Sequence, residues 1–253
     1  MKLGAQLYSL RTFCQTPEDL KETILKCKAM GYQNVQFSGV AAMGAEVWAK
    51  ISEETGMEIV CTHSAFDRVV NDTDALIEEH KLFGCPVIGI GSMPGEYRDS
   101  LENFEKLLAV MEEPVRKIEA AGLHFAYHNH AFEFDKFSDA DTCAMEQLIE
   151  RTDWFMILDT GWVQFAGKSA VEYIERIGGK RLQCIHFKEF KRADRDTICA
   201  CGEGFSDFPA IVAACKRVGV QNVLVEQDNA PEKDDPFGEM ERSAKYLLPL
   251  FEA

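Results

Sequence analysis

His128, Asp159, His186 and Glu226 are four residues whose types suit one piece of chemistry, and each closes a short, mostly apolar run. Two imidazoles and two carboxylates brought to one place form a mixed nitrogen and oxygen ligand set. Such a set suits Mn²⁺, Mg²⁺, Co²⁺ or Zn²⁺ rather than a soft metal. One divalent ion would also offset the cost of holding two acids away from water. The plainer alternative pairs the carboxylates with Lys188 and leaves the histidines bonding backbone groups.

Those runs are the elements that must position the four residues. Eight of them recur along the chain, at 3–9, 34–37, 58–62, 86–91, 124–128, 154–159, 182–187 and 222–226. They are mostly apolar, lack clean alternation and turn polar at the end, as parallel strands buried on both faces do. Amphipathic helices lie between them. Thr16-Pro17-Glu18-Asp19 offers a cap, a first-turn proline and early acids for one of these. Gly31, Gly56, Gly84, Gly122, Gly178 and Gly219 stand where helices close before the next strand. Pro114 is expected to divide or kink the segment 101–121.

Eight such units in 253 residues is about 32 residues each, the length of an α/β unit in a (β/α)8 TIM barrel. A doubly wound sheet would place a glycine-rich loop after the first strand, where this chain has Tyr8-Ser9-Leu10-Arg11. The expectation is a single-domain barrel over residues 1–253. Its active site would then lie at the C-terminal strand ends. Besides the four residues above, those ends offer Gln6, Tyr8, Gln36, Ser38, Thr62, His63, Asn129, His130, Lys188, Gln227 and Asp228. Four of the six histidines, His63, His128, His130 and His186, fall at these ends, which random placement would not produce. His80, within a helix, and His124, at a strand start, are read as structural and at the other end of the barrel.

Composition removes several classes of function. Apolar residues are 46% of the chain and charged residues 27%, which is ordinary globular usage. No apolar run approaches the roughly 20 residues that cross a bilayer, so no membrane partner is expected. The opening Met1-Lys2-Leu3-Gly4-Ala5-Gln6 turns polar too early for a signal peptide. The nine cysteines are odd in number and scattered, with only Cys199 and Cys201 close together. They read as small buried thiols in a reducing, cytoplasmic protein. Net charge is -15, and the one basic run, Lys188 to Arg195, is diluted by acids. A duplex-binding surface needs the opposite balance, so no nucleic-acid partner is expected.

Six motifs in order carry a resemblance. They are Gly4-Ala5-Gln6-Leu7-Tyr8-Ser9-Leu10-Arg11, Tyr127-His128-Asn129-His130-Ala131-Phe132-Glu133-Phe134 and Leu158-Asp159-Thr160-Gly161-Trp162, followed by His186-Phe187-Lys188-Glu189, Gly202-Glu203-Gly204-Phe205-Ser206-Asp207-Phe208 and Val225-Glu226-Gln227-Asp228. Together the chain resembles the sugar phosphate isomerase/epimerase family of xylose-isomerase-like TIM barrels. The resemblance implies one divalent metal held by four strand-end residues, and a small-molecule sugar or polyol bound through neighbouring oxygens. Asp159, His186 and Glu226 match three ligand positions. His128 stands at the fourth, where the ketose epimerases of the family carry a glutamate, and the histidine-rich strand is more like the inosose dehydratases. Glu189 replaces the usual aspartate after the His-x-Lys pair.

The activity this implies is metal-dependent isomerisation or epimerisation by proton abstraction α to a carbonyl. Glu226 would be the base, helped by His130 or Glu133. The alternative is a metal-dependent lyase or dehydratase acting on a keto-sugar, inosose or keto-glycoside, and His128 keeps it close. An endonuclease on a related barrel would want more histidines and a basic track, against the net charge. Gln6, His63, Trp162 and Lys188 are the candidate substrate contacts. His63 reads equally as a core histidine and Trp162 as plain packing. Lys188 could hold an enolate, a phosphate or Glu226, and substrate is favoured. Glu133 is a reserve base or a surface residue, and a homo-oligomer stays open.

Overall fold

A computed structural model of the protein describes residues 1–191 and 197–252. The later part of the basic run, 192–195, lies outside the described residues. The strands are β1 (Lys2–Gln6), β2 (Asn34–Phe37), β3 (Glu58–His63), β4 (Val87–Ile90), β5 (His124–His128), β6 (Phe155–Asp159) and β7 (Cys184–Phe187), then β8 (Glu189–Phe190), β9 (Ile198–Cys199) and β10 (Asn222–Val225). Eight of them close into a barrel in the order β1-β10-β7-β6-β5-β4-β3-β2, with β2 back against β1. Every pairing within it is parallel. The expected (β/α)8 TIM barrel is present.

The strands are buried nearly end to end, as the unalternating apolar runs require. A cluster drawn only from strands, including Val60, Val87, Ala126, Ile157, Cys184 and Leu224, fills the lumen. The larger core lies between the barrel and its helices. All nine cysteines are free and buried. Among the described residues, no helix is long and apolar enough to cross a membrane.

The local signals act as their chemistry dictates. Thr16 caps helix Pro17–Ala29 by accepting from the Asp19 amide, with Pro17 in its first turn. Gly56 (φ +64°) and Gly219 (φ +84°) take the left-handed conformation that ends two helices. Helix Leu101–Ala120 runs on through Pro114 and is not divided there.

Most strand bounds shift by one or two residues from the sequence reading, and three features depart from it further. β1 stops at Gln6 rather than Ser9, because the Gln6 side chain accepts from the Tyr8 amide at 2.5 Å and caps a 3-10 helix, Leu7–Phe13. The two-stranded antiparallel sheet of β8 and β9 is absent from the sequence reading, since two-residue strands leave no periodicity. His80 is structural but not at the far end. It bonds Thr62 Oγ1 at 2.8 Å, next to the C-terminal end of β3. His124 lies at the start of β5 beside Glu119.

Candidate metal centre

Register sets the site. Asp159 pairs with His186 across β6 and β7, and Leu224 pairs with His186 across β10 and β7. Glu226 and Lys188 each lie two residues beyond one of these, hence on the same side of their strands. His128 ends β5. One ligand atom from each of His128, Asp159, His186 and Glu226 falls within 4.8 Å of all the others, and all four residues are buried.

Each of the four side chains is aimed by a neighbour. Asp159 is also the N-cap of helix Thr160–Phe165: its Oδ1 accepts from the Trp162 amide at 2.9 Å, which leaves Oδ2 to the centre. The Asp159 amide donates to Asn129 Oδ1 at 2.9 Å, tying β5 to β6. His128 Nδ1 meets the Gly91 carbonyl at 3.0 Å, so Nδ1 carries the proton and Nε2 faces inward. His186 Nε2 donates to Gln36 Oε1 at 2.5 Å, which leaves Nδ1 facing Glu226 Oε2 at 2.8 Å. Gln6 Nε2 donates to Glu226 Oε1 at 2.8 Å. Ligands oriented by outer bonds are the usual construction of a metal site.

The electrostatics call for positive charge. Lys188 Nζ lies 3.0 Å from Asp159 Oδ2, 3.2 Å from Glu226 Oε2 and 2.9 Å from Asp228 Oδ2. Three carboxylates therefore surround one ammonium. Burial opposes charge on His128, yet the carboxylates of Asp159 and Glu226, 3.5 and 3.6 Å from its Nε2, overcome it and raise its pKa to about 10. Burial likewise opposes charge on Glu226, but Lys188, His186 and His128 hold its carboxyl well below the usual range. With Nε2–H engaged by Gln36, a neutral His186 turns its Nδ1 lone pair on a carboxylate oxygen. A cation between the two relieves that clash. His128 Nε2 and Asp159 Oδ2, both inward-facing, make no hydrogen bond among the described residues. A divalent ion fits this donor set.

The remaining expected site residues divide. Lys188 is fully enclosed by acids and stands 4.9 Å over the Trp162 ring. The pairing considered as the plainer alternative therefore coexists with the ligand cluster. His63 packs at a tilt, 5.0 Å from His128 and 5.6 Å from His186, and meets Ser38 Oγ at 3.3 Å. His130 lies 4.9 Å from His128 and 5.6 Å from Trp162. Burial, then repulsion from His128 and Lys188, lowers its pKa to about 3, so it is neutral. Trp162 packs on Phe165 and Phe190. Gly161 lets that helix start approach β7, because a Cβ there would meet the Lys188 carbonyl at 2.7 Å.

Glu133 is neither a surface residue nor turned to the ligands. It is fully buried, with Oε1 accepting from Tyr127 Oη at 2.7 Å and Oε2 from the His130 amide at 2.7 Å. Burial raises its pKa to about 7. Gln6 is fully buried against Glu226, which makes it a positioning group as the chain stands. Gln36, Asn129 and Asp228 hold His186, the Asp159 amide and Lys188 in place, contacts that strand-end position alone does not reveal. Their signal in the sequence is position alone, since the two amides have no diagnostic spacing and Asp228 is one acid among 42 Asp and Glu.

No curated protein matches the chain, but solved structures do. One is a sugar phosphate isomerase/epimerase from Parabacteroides distasonis, with TM-score 0.81 and 20% identity over 99% of this chain and 100% of that one. Another is the IOLI protein with a bound zinc atom, with TM-score 0.75 and 16% identity over 100% and 98%. A third is the probable 3-DHS dehydratase AsbF of petrobactin synthesis from Bacillus anthracis, with TM-score 0.73 and 12% identity over 98% and 99%. At these identities the likeness is one of fold. The family model of the xylose isomerase-like TIM barrel matches residues 24–249, nearly the whole barrel, and the chain belongs to that family.

Proposed function

We propose that this protein is a metal-dependent isomerase or epimerase of a small sugar or polyol, working by removal of the proton α to a carbonyl. The observation that carries the reading is the buried convergence of one ligand atom each from His128, Asp159, His186 and Glu226, of which His128 Nε2 makes no hydrogen bond among the described residues. A divalent metal held there would polarise a carbonyl and its neighbouring hydroxyl. Glu226 is the base: Gln6 fixes one oxygen, and the other faces the centre. Lys188 Nζ supplies positive charge where negative charge develops on substrate oxygen. His130, kept neutral by burial, is placed to give or take a proton beside it. Trp162 and the surrounding rings exclude water from the same space.

A lyase on the same site is the second reading, and Glu133 favours it. Epimerisation needs a proton delivered to the opposite face of the carbon, and both Glu133 oxygens are engaged by Tyr127 and His130. Expulsion of a β-leaving group needs only one base.

The test is a panel of ketoses, inososes and 3-keto-glycosides with metal-loaded enzyme in D₂O, followed by NMR. Deuterium at the carbon beside the carbonyl is expected, because a carboxylate base exchanges with solvent. Product without solvent deuterium, formed with the metal in place, contradicts proton transfer. Loss of water or of an aglycone marks the lyase. Glu226→Gln should lose at least roughly 100-fold in activity, with metal content measured on the same sample.

A further inference from the structure

A cavity of about 260 Å³ lies beside the centre, over the C-terminal ends of β2 and β3. His63 belongs to both places: it lines the cavity, and its ring packs at a tilt against the imidazoles of His128 and His186. The metal reading does not use this space.

The walls select a chemistry. Phe37 and Trp48 present aromatic surface, joined edge to face at 5.2 Å, and Leu76 adds aliphatic surface. The hydroxyls are already engaged, Thr62 Oγ1 with His80 and Ser64, and Ser38 Oγ with His63. Arg68, the one lysine or arginine on the lining, is held by both oxygens of Glu79 at 3.0 and 3.1 Å. The cavity therefore offers no free charge for a phosphate and few partners for a polyhydroxylated ring. Trp48 Nε1 and His63 Nε2 are buried and make no hydrogen bond among the described residues. The indole nitrogen can only donate, so it suits a ligand carrying an acceptor. An apolar cavity of about 150 Å³ already admits benzene, so a single aromatic ring has room here.

We propose that the substrate carries an uncharged aromatic ring, joined through oxygen to the part that meets the metal ligands, and that this cavity holds the ring. The proposal rests on the metal-centred reading of His128, Asp159, His186 and Glu226. It narrows the substrate from a free sugar to an aryl-substituted one.

Phenol, a ring with one oxygen, is the probe, and two NMR readouts keep the claims apart. In the first, phenol should shift the indole N–H signal of Trp48, assigned by its disappearance in Trp48→Phe. Ala65→Phe and Ala42→Phe, both at exposed positions on the cavity lining, should each weaken that binding at least tenfold and leave Mn²⁺ affinity unchanged. Inorganic phosphate should leave the Trp48 signal in place. In the second readout, Mn²⁺ bound to the wild type should broaden the phenol signals, because the ring lies beside the centre. No Trp48 shift, or equal binding by both filled variants, overturns the proposal. So does a Trp48 shift without broadening when Mn²⁺ is bound. A Trp48 shift in protein that binds no Mn²⁺ defeats the metal reading instead, and with it the aryl substrate, while leaving a ring-binding cavity.

Discussion

At the residue scale, each ligand has a second job or a second partner. Asp159 caps a helix with one oxygen and faces the centre with the other. His186 is turned by Gln36, and Glu226 is steadied by Gln6. Removing a ligand takes both charge and geometry, so Asp159→Ala and Glu226→Ala should each lose most of the bound metal. Elemental analysis decides it, and unchanged content in both variants contradicts the assignment. Removing the outer partner costs less. Gln36→Leu frees the His186 ring and should weaken metal affinity roughly 10–100-fold. Chelator competition measures this, and wild-type affinity would show that Gln36 does not orient the ligand. The cluster of His128, Asp159, His186 and Glu226 was legible because imidazoles and carboxylates at strand ends stand out chemically. Glu133 was not: nothing in its sequence position announces that Tyr127 and the His130 amide close over it.

At the scale of elements, the eight barrel strands could be read because buried parallel strands leave apolar runs that end in polar residues. What escaped were features set by tertiary approach. β8 and β9 are too short for any period. The early end of β1 depends on one side-chain bond, and the side on which His80 sits depends on how helix Thr73–Leu82 is rotated. That helix is tied to β3 by His80, whose ring bonds Thr62 Oγ1 and the Leu76 carbonyl. Burial lowers its pKa from 6.5 to about 4. As pH falls, the unfolded chain takes up this proton first, so the contribution is whole above pH 6.5 and is lost between there and pH 4. The size is roughly 3 kcal/mol. Urea midpoints should therefore drop more between pH 7 and 4.5 for the wild type than for His80→Gln. Parallel losses would mean that the ring takes up its proton in the fold as readily as in the unfolded chain.

At the scale of the whole molecule, the closed barrel brings residues almost 100 positions apart, from His128 to Glu226, into one buried cluster. The net charge of -15 sits uneasily with a polyanionic partner and comfortably with a cation, and the acids around Lys188 concentrate that tendency at the mouth. The barrel explains why the order of motifs was informative: β5, β6, β7 and β10 each end at the same rim, beside one of His128, Asp159, His186 and Glu226. The claim that joins these scales is that this rim holds one divalent ion. Anomalous diffraction from crystals of the zinc-loaded protein tests it most directly. One peak is expected at the C-terminal ends of β5, β6, β7 and β10, about 2.0–2.2 Å from a nitrogen or oxygen of His128, Asp159, His186 and Glu226. A fully loaded crystal with its peak elsewhere, or with Lys188 still between Asp159 and Glu226 and no peak at the rim, would contradict it.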